Sequence, residues 1–107
     1  MKLGLPDYSN ASTSWIEVPN GSTTVYTATD NCFIALWCTE NGRRTYYHMR
    51  INGNDLFVPV PTKLSTDEVV SFNFLVPLKA GDVITSDAAI NRPTVAISYK
   101  VIPMITV

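Results

Sequence analysis

Along most of this chain apolar and polar residues alternate with a period of two, and no window of helix length carries an apolar repeat of 3.6 residues. A segment of that kind can bury only one of its faces. It must therefore pair edge to edge into a sheet, and the sheet must cover its apolar face with a second layer. Turn signals separate the alternating runs: Asn-Gly pairs, Gly81-Asp82 and several prolines. The expected strands are 15–18, 23–29, 32–40, 43–52, 55–60, 69–78, 82–86 and 94–101, with 104–107 as a last edge. Seven or eight short strands in a chain of 107 residues is the spacing of an antiparallel β-sandwich, and one core is all that such a length supports. Residues 1–14, rich in Ser and Asn towards their end, read as an N-terminal tether or first edge segment, and 15–107 as the single β-sandwich domain. Pro59 and Pro61 flank Val60 and put that strand at an edge, because proline cannot donate to a ladder.

Composition narrows the function classes. Hydrophobic residues at 46% exclude a disordered chain, and a formal charge of -1 supplies no basic face for nucleic acid. No apolar run reaches about 18 residues, and the first residues lack the apolar stretch of a cleaved signal, so neither membrane insertion nor export is expected. Cys32 and Cys38 fall in one strand, about 20 Å apart, too far to bridge. Free thiols fit folding in a reducing cytoplasm.

Asn41-Gly42 is the preferred pair for a two-residue type I′ turn and predicts a hairpin of 32–40 with 43–52. In that register Cys38 opposes Thr45, Leu36 opposes Tyr47, Ile34 opposes Met49 and Cys32 opposes Ile51, an apolar face that belongs to the core. The reverse face pairs Trp37 with Tyr46, Ala35 with His48, Phe33 with Arg50 and Thr39 with Arg44. So aromatic a face requires a cover, which can be another sheet, a subunit or a ligand. Phe33, Trp37, Tyr46, His48 and Arg50 are thus candidates for an oligomer interface or a ligand platform. For ligands bound at loop tips the candidates are Tyr8, Trp15, Asn54, Asp55, Asn91 and Arg92, since a sugar site sets an aromatic ring beside planar polar groups.

Catalytic and metal chemistry find little support. His48 is the one histidine, and in the predicted register it lies on the face opposite to Cys32 and Cys38, which rules out a Cys-His pair. Zinc spacing, an EF-hand loop and phosphate-binding glycine motifs are all missing. Asp67 and Glu68 are strand neighbours pointing to opposite faces and do not converge on one bond. No catalytic residue, metal ligand or cofactor is expected.

Three segments carry a resemblance to a family. Val25-Tyr26-Thr27-Ala28-Thr29-Asp30-Asn31-Cys32-Phe33-Ile34 resembles the entry into a long strand in C1q/TNF-like jelly-roll domains of phage tail and head fibres. Ile51-Asn52-Gly53-Asn54 looks like their Ile-Asn-Gly hairpin, and the run from Phe74 through Lys79-Ala80-Gly81-Asp82 to Ile84 like their turn before a late strand. Order and spacing agree over roughly 23–101, although Asn31-Cys32 stands where a glycine is usual. The resemblance implies an antiparallel jelly-roll-type sandwich forming a homotrimer at the end of a virion fibre. Its loops would contact a host-surface glycan or protein receptor, with other virion proteins as further partners. Two rivals are a capsid-decoration protein that cements a particle without binding a receptor, and a small cupin-like enzyme, which calls for a His and carboxylate cluster that one histidine cannot supply.

Overall fold

The computed structural model describes residues 4–40, 46–59, 70–86, 90 and 95–106. The described elements are β1 (Gly4–Pro6), a 3-10 turn (Tyr8–Asn10), β2 (Ile16–Glu17), β3 (Thr24–Thr27), β4 (Cys32–Glu40), β5 (Tyr46–Ile51), β6 (Asn54–Pro59), β7 (Val70–Leu78), β8 (Val83–Ser86) and β9 (Val95–Thr106). All pairings are antiparallel and build two sheets. The five-stranded sheet runs β1-β9-β4-β7 with β2 also on β9, and the four-stranded sheet runs β3-β8-β5-β6. The pairs β2·β9, β3·β8, β4·β7 and β5·β6 nest one inside the next, as in a long ribbon folded at the β5–β6 turn.

The core lies between the sheets. Ile34, Leu36 and Cys38 from β4, Ile97 from β9 and Met49 from β5 are completely buried, and Ile84 and Val18 nearly so. Alternation produces this: on β7, Val76 and Leu78 are buried while Ser71, Asn73, Leu75 and Pro77 are exposed. In β3 a bulge lets Thr24 and Tyr26 face the consecutive residues Thr85 and Ile84. The extra residue, Val25, is buried, and Tyr26 still packs on the core, against Tyr99 of the other sheet at 5.0 Å between ring centroids. At the β4 end of the sandwich, Gly81 at φ +93 lets Lys79–Asp82 turn as type II turns do, with Asp82 N donating to Lys79 O at 3.0 Å.

Two sequence expectations are corrected. Strands β4 and β5 do not form a hairpin: β4 pairs with β7 and β9 along all of its nine residues, whereas β5 sits in the other sheet between β6 and β8. The opposition of Leu36 to Tyr47 or Ile34 to Met49 is replaced by Leu36 opposite Phe74 and Tyr99, and Met49 opposite Leu56 and Ser86. Residues 41–45, including Asn41-Gly42, lie outside the described residues. Secondly, 94–101 and 104–107 are not separate strands, since β9 runs unbroken through Pro103. Proline is tolerated there because its carbonyl, and hence its donorless nitrogen, faces Asp7, where β1 leaves the ladder for the 3-10 turn. The other strand prolines among the described residues, Pro6, Pro59 and Pro77, are in the edge strands β1, β6 and β7.

Candidate interaction face

The outer face of the five-stranded sheet carries the aromatic surface. Its cross-strand rows follow from the register: Ser71, Thr39 and Ala96; then Asn73, Trp37, Ser98 and Glu17; then Leu75, Ala35 and Lys100; then Pro77, Phe33 and Ile102. Trp15 precedes Ile16, the partner of Tyr99, and so enters the third row beside Lys100. The lysine Nζ lies 5.1 Å from the centroid of the Trp15 ring, and that ring meets Trp37 edge-on at 5.7 Å and 65°. The chain's two tryptophans are thus in contact, bridging β9 from the N-terminal segment to β4. Trp37 keeps 43% of its surface exposed, Leu75 41% and Trp15 36%. An edge-to-face ring pair contributes about 0.5–1.5 kcal/mol and an exposed cation–π contact about 0.5–1 kcal/mol, enough to orient these side chains. Polar groups border them: Asn73 stands beside Trp37, and the hydroxyls of Thr39 and Ser71 are 3.3 Å apart.

Of the residues singled out as one interface or platform, the structure keeps Phe33, half-buried, and Trp37 together on this face. Tyr46, His48 and Arg50 belong to β5 in the other sheet, and alternate there with the buried Met49. The side chains of Tyr46 and His48 lie outside the described residues, while Arg50 Nε is 2.9 Å from Asp55 Oδ1 across the β5–β6 pair. The loop-tip candidates are dispersed too. Tyr8 is 66% exposed in the 3-10 turn, and Trp15 lies on the outer face. Asn54 and Asp55 open β6, and Asn91 and Arg92 lie outside the described residues. What residue reading missed is the partnership of Trp15 with Trp37, which depends on β9 separating them; a lysine two residues from Ser98 gave no local signal of it.

The thiols are poor nucleophiles. Burial pushes the Cys38 thiol up to about 12, and burial also raises Cys32, opposed by a hydrogen bond with Tyr26. Cys32 and Tyr26 line a cleft of about 100 Å³ with Thr29, Asp30 and Val101, room for a few waters at most. Among the described residues no three His, Cys, Asp or Glu side chains gather as metal ligands, and no helix is long and apolar enough to cross a membrane. No family model, curated protein or solved structure matches the chain.

Proposed function

We propose that this chain is a fibre or receptor-binding tip domain of a virion, assembled as a homotrimer through the outer face of its five-stranded sheet and presenting its loops to a host-cell surface glycan or protein. The observation that carries this reading is the exposed Trp15, Trp37 and Leu75 on one sheet face, apolar surface of the kind subunits cover. Covering it is worth roughly 25 cal/mol per Å² of apolar area, and large aromatics concentrate that gain at a few positions. The nested pairs from β2·β9 to β5·β6 support a jelly-roll connectivity, in which a folded ribbon is rolled into two sheets. They agree with the resemblance to C1q/TNF-like fibre domains drawn from the Tyr26, Asn52 and Gly81 segments.

Multi-angle light scattering over a range of concentrations tests the assembly. A stable mass of three chains is the expected result, and a persistent monomer removes the proposed seam. Trp37→Ala should then lower the assembled fraction while leaving the β-sheet circular dichroism spectrum unchanged. An assembly indifferent to Trp37→Ala would move the interface off this face.

A further inference from the structure

Before the chain reaches the core it runs the length of β9 as a strap. Gly4–Pro6 pair with 104–106, Asp7 N donates to Pro103 O, and Ser12 N donates to Val101 O while Val101 N donates to Ser12 Oγ. Ile16 and Glu17 pair with Tyr99 and Ser98, and Val18 N donates to Ile97 O. Backbone bonds thus fasten the strap. None of residues 4–17 is buried, and Leu5, Tyr8 and Ile16 are largely exposed. The sole anchor in the core is Val18, at 1% exposure. Directly after it comes a tight turn, Pro19–Ser22, closed by Ser22 N donating to Pro19 O and containing Gly21 at φ +85.

An element held by ladder bonds, by the partly exposed Trp15 on Trp37 and Lys100, and by one buried side chain belongs to the low-stability end of a fold. Its departure leaves the edge of the long strand β9 open, and an open edge pairs with any strand of suitable length and pattern. The sequence shown to fit this edge is the chain's own strap, which every other copy also carries. We propose that the edge of β9 is a strand-exchange site whose partner is residues 4–18 of a second copy of this chain, with Pro19–Ser22 as the hinge. Exchange restores every strap contact between chains, including Trp15 on Trp37 and Val18 in the core, so its balance is set by the hinge and by concentration. The inference does not rest on the fibre-tip reading: exchange also joins chains and also uses Trp37, so mass alone does not separate the two, whereas a covalent link between strap and edge reports which chain supplies the strap.

The test is the double variant Glu17→Cys/Ser98→Cys. Residues 17 and 98 oppose each other, and since Val18 and Ile97 form a hydrogen-bonded pair, 17 and 98 are by alternation the closer, non-hydrogen-bonded kind that a disulfide can span. The folded protein is incubated at several concentrations, oxidised, alkylated and then denatured; the native Cys32 and Cys38 are buried and stay out of the reaction. Covalent dimers and larger species are expected, their share rising several-fold from dilute to concentrated incubation. Links formed only within single chains at every concentration overturn the proposal. Leu5→Cys/Ile105→Cys repeats the reading at the far end of the strap, where both native side chains are exposed and opposed in a hydrogen-bonded pair, whose Cα spacing of about 5.5 Å a disulfide also spans, and so covers the case in which the first variant folds poorly. Exclusively in-chain links there overturn the proposal equally.

Discussion

Of the chain's three Asn-Gly dipeptides, those at 41–42 and 52–53 both follow a strand, with opposite consequences for the strands around them. Asn52 and Gly53 take φ of 53° and 81°, the positive values a type I′ turn requires, and they close β5 onto β6 with Ile51 opposite Asn54. Asn41-Gly42 follows β4, which pairs with β7 and β9 and not with β5. Turn chemistry therefore makes a hairpin available but does not choose the pairing. Where one strand buries Ile34, Leu36 and Cys38 completely, it takes a central place with neighbours on both edges, and the next strand goes to the opposing sheet to cover that face.

The sharpest way to break this comparison is to weaken the buried face of β4 and leave every turn alone. Leu36→Ala removes a completely buried side chain from the middle of the strand and should cost about 2–5 kcal/mol in denaturant unfolding. A loss well below 1 kcal/mol would mean that burial does not place β4. Gly53→Val acts on the hairpin instead. Its new Cβ meets nothing within 4 Å, so the cost is that of a β-branched residue at φ +81, on the order of 1–2 kcal/mol. Equal losses for the two variants would erase the distinction between a turn that shapes locally and a face that selects partners.

Much of the strand content was legible because alternation is a local property. The bounds of β4 are those expected, β7 ends at Leu78 as expected while its expected first residue, Val69, lies outside the described residues, and β8 begins one residue later than expected. Partner choice was not legible, because it depends on which edges remain free once all the apolar faces are buried. The candidate site divides along the same line. Phe33 and Trp37 share a face because they are four apart in one strand, which the sequence displays. Arg50 was assigned to that face by a hairpin register, and it left when the hairpin proved to be a crossing between sheets.

The smallest predicted effect concerns what holds the 52–53 turn to the rest of the fold. Asn52 Nδ2 donates to Asp82 Oδ1 at 2.8 Å, Val83 N donates to Asn52 Oδ1 at 2.9 Å, and Lys79 N donates to Asp82 Oδ2 at 2.8 Å. The hydrogen bond from Asn52, followed by that from the Lys79 amide, lowers the Asp82 carboxyl below its ordinary 3.8. A carboxyl depressed in the folded state stabilises the fold fully above its unfolded value and loses that contribution as pH falls through the folded one. Partial exposure of the group to water keeps the effect small. Asn52→Ala should therefore lower the denaturant midpoint most at pH 7, and the gap to the unaltered chain should narrow below about pH 4 as Asp82 takes up its proton. It should not close, because the bond from Val83 N to Asn52 Oδ1 does not titrate and is absent from the variant at every pH. A gap constant from pH 7 to pH 2.5 would mean that the charge of Asp82 contributes nothing through Asn52, leaving the turn fastened by neutral hydrogen bonds alone.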